Sequence, residues 1–419
     1  MRRNVASNLV WMLIERGLQV SAGIGVVAML ARALGTEGFA HFQYAQAVVY
    51  LAASVALVCG AEVIVPRLVA NPKPLDQHTL IWHAFQMRFV AGATGYLLMI
   101  AFVLATGQTS DTWIATAILG IAILLREPFG IVTAWMQSRT RIRPNVIFNL
   151  VSLSCKVMAV AVLFLVGIQA IPAYAAAFTI EPIVAASLLC WYYLSRGPKG
   201  PVQHQPAITA ELFRHGAMFW VSLMLMMGAR RVDQLLLKPA IPLAELGAYA
   251  ASMQVLDNFI MLATILAAGV APIYVYAQPT LQTARRNIGW IALCMGAIGL
   301  SGALVISVFA SQIVYLLYGS AFEASAQLLR LAALASTLIF VDVGLTLLQI
   351  HLRMPKLIAI KWGLLLGTTV LVDSIAIPHF GARGAILGYA CANALAVLFG
   401  LWLWLRAGHS GQFRQAAVS

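Results

Sequence analysis

The sequence predicts an all-α polytopic membrane protein with about twelve transmembrane helices in two six-helix bundles, and three observations carry that prediction. Of 419 residues, 61% are hydrophobic and only 10% are charged, whereas a soluble domain is about half apolar and about a quarter charged. The mean hydropathy is +0.87. Stretches of roughly 20 mostly apolar residues, the length that crosses the hydrocarbon of a bilayer, recur along the whole chain with turn residues or charges between them.

Taken in order, these stretches fall at 6–31, 40–65, 82–106, 113–137, 146–167, 172–195, 213–237, 247–275, 288–310, 324–350, 357–377 and 384–405. The first contains Glu15 and Arg16 and has no small-residue cleavage site after a short apolar core, so it is expected to span the membrane and not to be a cleaved leader. The longest polar interruption is RGPKGPVQHQPA, Arg196 to Ala207, rich in proline and glycine. It reads as a linker. The expected organisation is an N-terminal six-helix bundle at 1–195, a cytoplasmic linker at 196–210, a C-terminal bundle at 211–407 and a cytoplasmic tail at 408–419. Sliding the first half onto the second by 207 positions sets Phe39 with Leu246, Ala40 with Gly247 and Phe42 with Tyr249. This weak internal repeat would relate the halves as parallel repeats.

Charge placement gives an orientation and removes one class of function. Cytoplasmic loops carry the excess of Lys and Arg. With the N-terminus inside, the inner loops and tails hold seventeen of the 27 basic residues, Arg67, Lys73, Arg88, Arg139, Arg285 and Lys356 among them. Both termini are therefore expected in the cytoplasm. The formal charge of +13 is thus topological and not a nucleic-acid footprint. The five cysteines, Cys59, Cys155, Cys190, Cys294 and Cys391, lie inside apolar segments without metal-ligand spacing, so neither a disulfide framework nor a metal site is expected. No cofactor is expected either, and no G-x-x-x-x-G-K-[ST] phosphate loop occurs.

Two segments carry a family resemblance. ARALGTEGFAHFQYAQAVVYLAASVALVCGAEVIVPRLVA, after the first helix, resembles the opening of polysaccharide exporters and Wzx-type O-antigen flippases, with an arginine, a leucine-glycine, an acidic residue and an aromatic before a long second helix. RRVDQLLLKPAIPLAELGAYAASMQ resembles the matching stretch of the seventh helix, an aspartate before a leucine run and a Gly-x-Tyr opening helix eight. Ala40 departs from the glycine common at that position. The resemblance implies the fold of the multidrug/oligosaccharidyl-lipid/polysaccharide exporters in a bacterial inner membrane. It implies a polyprenyl-diphosphate-linked oligosaccharide as cargo, an O-antigen, capsule or exopolysaccharide repeat unit. The implied partners are that substrate, membrane lipids, and the polymerase and glycosyltransferases of the same polymer.

The charges inside apolar segments are candidates for chemistry, because such residues are expensive and usually face a bundle interior or a watery cavity. Helix one carries Asn8, Trp11, Glu15 and Gln19 at offsets of three and four; helix five repeats the pattern with Asn145, Asn149, Ser152 and Lys156; helix four has Arg126, Gly130, Thr133 and Gln137, with Glu127 alongside. Arg16, Arg126 and Lys156 fall at similar depth and are expected to line one polar chamber holding the diphosphate. Arg230 and Arg231 are further candidates, with Arg230 and Asp233 spaced i, i+3 as a structural pair; which arginine faces a cavity stays open. Trp11, Gln19, Tyr44, Gln46, Tyr50 and Asn149 could contact sugars, and Glu15, Glu62, Asp257 and Asp342 could couple an ion. A structural reading stands beside this one: Glu15 and Glu127 can pair with arginines, and Glu181, next to Pro182, can absorb Lys156.

Two rival functions share the layout. A drug or cation antiporter would want a net acidic chamber, and eight of the 14 acids lie within apolar segments. A membrane-embedded polymerase or ligase would need a catalytic constellation, ordinarily on a sizeable outer loop, and no nucleophile and base stand out.

Overall fold

The computed structural model describes the backbone of residues 2–71, 73–141, 143–201, 205–352 and 354–409, and the side chains of 17–407 within those ranges. Among them the regular structure is helical: α1 (Arg2–Ala56), α2 (Ala61–Ala70), α3 (Pro74–Ala105), α4 (Ser110–Ser138), α5 (Arg143–Val166), α6 (Ile171–Arg196), α7 (Pro206–Leu237), α8 (Leu243–Ala271), α9 (Leu281–Val308), α10 (Ala310–Tyr318), α11 (Ala324–His351), α12 (Pro355–Phe380) and α13 (Ala382–His409). Helices dominate because each closes its own backbone hydrogen bonds, which hydrocarbon otherwise leaves unmet.

Eleven segments among the described residues are long and apolar enough to cross a membrane, and the first, Gly17–Ala70, runs for 54 residues. At 1.5 Å per residue that is about 80 Å, far more than one crossing needs. Its continuity is interrupted at Gly35, whose φ of 67° and ψ of −175° reverse the chain between two helical halves. A left-handed φ of this kind is open to glycine without a Cβ penalty. The first and second expected helices are therefore both present, joined by a one-residue turn and not by a loop. The second half of α1 starts at position 36, which is 207 positions before the start of α8 at Leu243.

The second expected helix, 40–65, is not continuous. It stops at Ala56 and resumes at Ala61 as the short α2, with Cys59 between them at a φ of 58°. Non-helical backbone at membrane depth is tolerated only where protein or water satisfies it. Here Trp220 Nε1 donates to Ser54 O at 3.0 Å and Arg88 Nε donates to Val58 O at 3.1 Å. Arg88 is thus a buried part of α3 and not a loop cation, as its place near a segment end had suggested. The C-terminal end of the eighth expected helix differs as well: after Ala271 the chain winds through a π-turn at Pro272–Tyr276.

The chain divides between Met224 and Leu225 into two compact units. The division falls inside α7 and not in the polar 196–210 segment. The first half of α7 belongs with the first unit because Trp220 caps Ser54 and Arg67 pairs with Glu211 at 2.9 Å. Within the first unit, α4 packs on α1, α3 and α6, and α5 on α1 and α6. Within the second, α11 packs on α8, α9 and α13, and α12 on α13.

Small residues set the closest of these approaches, as is usual where lipid supplies no hydrophobic drive between helices. A Cβ on Gly344 of α11 would stand 2.7 Å from Ala292 Cα of α9, whereas one on Gly269 would meet nothing within 4 Å. Gly344→Ala is accordingly expected to destabilise the protein by about 1–3 kcal/mol, and Gly269→Ala to leave it unchanged or slightly more stable. Thermal unfolding of the detergent-solubilised protein checks this, and equal shifts for the two variants would contradict the packing.

Candidate functional site

In the first unit a cavity of about 270 Å³ is lined by Gln19 of α1, Arg126, Glu127, Gly130 and Thr133 of α4, Asn145, Asn149 and Ser152 of α5, and Glu181 and Pro182 of α6. Positions 126, 130 and 133, and again 145, 149 and 152, follow the three- and four-residue offsets of one helical face. Two stripes visible in the sequence thus meet across one space. Thr133 Oγ1 donates to Asn145 Oδ1 at 2.9 Å, joining α4 to α5 at the cavity wall. The side chains of Asn8, Trp11, Glu15 and Arg16 lie outside the described residues. Tyr50 is half-buried and Gln137 is exposed, and neither is part of the lining.

Lys156 is also absent from the lining. Its ammonium is held by the Glu181 carboxylate and sits 5.4 Å from the centre of the Phe178 ring. Glu127, of α4, is approached by Arg88 at 3.8 Å, and Arg88 Nη1 also donates to Glu127 O at 3.0 Å. A pattern links the two acids: each is followed by proline within its helix, Glu127–Pro128 in α4 and Glu181–Pro182 in α6. Proline removes one ladder donor and disturbs the helix locally. The repeated Glu-Pro dipeptide, and an arginine inside the apolar run of α3, were the sequence signals for Arg88 and Glu181 as partners of this site.

Arg126 differs from its neighbours. Its side chain is exposed where it lines the cavity, and it makes no ion pair or hydrogen bond among the described residues. Five N–H donors in a planar fork therefore face a space whose other polar groups are amides, hydroxyls and two carboxylates already engaged by cations.

The second unit pairs its charges in an order that i, i+3 spacing did not reveal. Arg231 Nη2 contacts Asp257 Oδ2 of α8 at 2.6 Å, and Asp233 instead accepts a hydrogen bond from the Tyr249 hydroxyl. Arg230 is exposed and has no ion pair among the described residues, so the expected Arg230–Asp233 pair is replaced by contacts between α7 and α8. The reason is burial: Asp233 is packed inside, toward α8, while Arg230 points outward. Lys361 Nζ of α12 donates to Asp342 Oδ2 of α11 at 2.8 Å and to Thr346 Oγ1 at 2.7 Å, all within the core. Of the acids expected to couple an ion, Asp257 and Asp342 are thus bound by cations, Glu62 is exposed beside Gly60 at the start of α2, and Glu15 lies outside the described residues.

The acids left without a cation are others. Asp373 of α12 is fully buried and neither of its carboxylate oxygens has a hydrogen-bond partner among the described residues; Asp233 Oδ1 and the Tyr389 hydroxyl of α13 are likewise buried and unsatisfied among them. Tyr249 lies within electrostatic range of Asp233, Asp373 and Tyr389, Tyr389 also of Arg230 and Asp257, and Asp233 also of Arg231. Orphaned buried oxygens are rare and call for a ligand or a proton. Among the described residues no group of three or more His, Cys, Asp or Glu side chains is arranged to hold a metal ion.

The sequence matches the family described as "Polysaccharide biosynthesis protein" over residues 1–272. The chain belongs to that family. No curated protein matches the sequence significantly. Among solved structures the chain is similar to the lipid II flippase MurJ in an inward closed conformation, with a TM-score of 0.76 at 11% identity over 98% of this chain and 90% of that one. It is similar to an inward-facing multidrug resistance MATE family transporter of the MOP superfamily, with a TM-score of 0.69 at 14% identity over 96% and 99% of the two chains. A third similarity is to a MOP superfamily transporter from Pyrococcus furiosus described by a reverse polarity of its binding pocket, with a TM-score of 0.67 at 15% identity over 97% and 95%. The fold is that of these flippases and transporters, and this member of the polysaccharide biosynthesis family is a multi-pass membrane protein.

The Lys361–Asp342 pair gives a direct test of the charge pairing. Lys361→Met strands a buried carboxylate and is expected to cost about 3–5 kcal/mol, while Lys361→Met combined with Asp342→Leu recovers most of it. Unfolding temperatures of the single and double variants decide; a double variant no better than the single would show that the pair is not the source of the loss.

Proposed function

We propose that this chain is a flippase that carries a polyprenyl-diphosphate-linked oligosaccharide from the inner to the outer leaflet of a bacterial inner membrane by alternating access, with ion coupling. The observation that supports it most is Arg126, an arginine on the wall of a polar cavity without a partner among the described residues, in a member of the polysaccharide biosynthesis family. Arginine recognises phosphate groups through forked, charge-assisted hydrogen bonds. Asn145, Asn149, Thr133 and Gln19 supply the amide and hydroxyl groups that sugar hydroxyls pair with. A volume of about 270 Å³ suits the diphosphate and the first sugar, with the remaining sugars and the polyprenyl chain outside it. The similarity in fold to a lipid II flippase agrees with a lipid-linked cargo. A drug or cation antiporter is disfavoured by the positive sign of the cavity-wall charge that has no ion pair among the described residues.

For coupling, the buried oxygens of Asp233, Asp373 and Tyr389 are the groups with capacity for a proton or a monovalent cation. Taking up a positive charge there would offset the cost of these orphaned buried oxygens, and the motion that releases it could be tied to cargo movement. Both termini are assigned to the cytoplasm on the loop cations.

Three measurements test this reading. Arg126→Ala should lower surface polymer at least about tenfold in cells deleted for the native gene, with Arg126→Lys restoring only part because it lacks the fork; wild-type export by Arg126→Ala would remove the substrate role. Asp373→Asn should abolish the response of transport in proteoliposomes to an imposed proton or sodium gradient, while leaving an unaltered unfolding profile; a response equal to wild type would refute coupling at that site. Single cysteines at Ser110 and Gln169 should label from outside the cell and ones at Ser138 and Lys199 from inside, and the reverse labelling would overturn the orientation.

A further inference from the structure

We propose that Glu181 acts as an internal stand-in for the anionic cargo: it neutralises Lys156 while the cavity is empty and gives up that ammonium when a diphosphate enters. This rests on the reading of the cavity as the diphosphate site. Four features of the geometry lead to it. Glu181 lines the cavity and Lys156 does not, so an entering ligand meets the carboxylate first. Lys156 nevertheless lies four residues beyond Ser152 on the lining face of α5, about 6 Å further along the helix. The Glu181 side chain is 29% exposed and that of Lys156 14%, against 8% and 1% for Asp342 and Lys361, so this pair can open where that one is sealed. Finally, Glu181 is the sole hydrogen-bond partner of the Lys156 ammonium among the described residues, whereas Arg88 is also bound to two backbone carbonyls and would stay fixed if Glu127 let go.

The chemistry of the two cations fits a division of roles. Arg126 is a planar fork that holds one orientation, while Lys156 is a compact charge on a flexible stem that can follow a new partner. Exchange of one anion for another keeps the ammonium neutralised throughout, avoiding the cost of a lone charge at membrane depth. The displaced carboxylate, on the cavity side, returns to the water of the chamber. A diphosphate carries more charge than a carboxylate and can bridge Lys156 and Arg126, which Glu181 does not do. Release then follows when Glu181 reclaims the lysine, so that the pair limits how tightly cargo is held and favours turnover over retention.

The test is binding of farnesyl diphosphate, a short prenyl diphosphate, to the purified full-length protein in nanodiscs, measured by titration calorimetry. Removing the competitor should tighten binding: Glu181→Gln is expected to raise affinity at least about fivefold, within the usual range of coupling between two sites. Adding Lys156→Met to Glu181→Gln should cancel that gain, and Glu181→Asp should behave as wild type. Transport by Glu181→Gln should fall even as affinity rises, a split that a merely structural carboxylate would not give. Unchanged or weaker binding by a folded Glu181→Gln overturns the inference, and so does a gain that survives Lys156→Met. If in the same series Arg126→Ala weakens binding while Glu181→Gln does nothing, the cavity reading stands and this inference alone fails. If wild type and variants all fail to bind the probe, the reading of the cavity falls and the inference with it.

Discussion

The structure depends on one constraint: a charge placed in hydrocarbon must find its opposite within the protein. A single buried ion costs at least about 2.5 kcal/mol at the centre of a spanning helix. Among the described residues, the membrane-depth charges form the pairs Arg88–Glu127, Lys156–Glu181, Arg231–Asp257 and Lys361–Asp342. Each joins two helices consecutive in the chain: α3 with α4, α5 with α6, α7 with α8, and α11 with α12. A helical hairpin that carries both members of a pair neutralises them internally, so these pairs can form without waiting for distant helices. The same logic extends to backbone. Where the chain between α1 and α2 is not helical, Trp220 and Arg88 take up the exposed carbonyls of Ser54 and Val58. Arg88 thus serves two needs, closing a break in one helix and fixing the Glu127 segment of another.

Against this matched background the exceptions stand out, and they differ between the two units. In the first, the group left over on the cavity wall is a cation, Arg126. In the second, buried oxygens of Asp233, Asp373 and Tyr389 are among the groups without a hydrogen-bond partner among the described residues, while the unpaired cation Arg230 is exposed. Weakly repeated sequence halves have therefore kept the layout of helices while diverging in residual charge. A cavity wall with an unpaired arginine and a core with unpaired carboxylate oxygens suit opposite ligands, which is the physical basis of the proposal that cargo binds in one half and a coupling ion in the other.

The identity of each charged residue matters more than its number. Glu127 and Glu181 both precede proline and both meet a cation, yet their cations differ in freedom: Arg88 is spent on backbone and buried, while Lys156 has its carboxylate partner and little else. Similar dipeptides on facing helices therefore give one fixed wall and one exchangeable pair. Glycine serves a break in the helix at Gly35 and a close helix contact at Gly344.

The sequence alone determined the helices and the faces they present, because hydrophobicity over about 20 residues and offsets of three and four are properties of a single helix. That is why the stripes Arg126, Gly130, Thr133 and Asn145, Asn149, Ser152 could be named before their meeting place was known. It also gave the linker composition and the crowding of charges near Arg230. Partner choice is a property of two helices, and only the tertiary structure decided it. Arg230 and Asp233 are neighbours on one helix, yet packing buries one and exposes the other, and the acid that meets an arginine there comes from α8. Lys361 could be paired with Asp342, and Asp373 left bare, only once α11, α12 and α13 were set side by side. The break at Cys59 was equally hidden, since its cost is met by Trp220 and Arg88, residues 161 and 29 positions further along the chain.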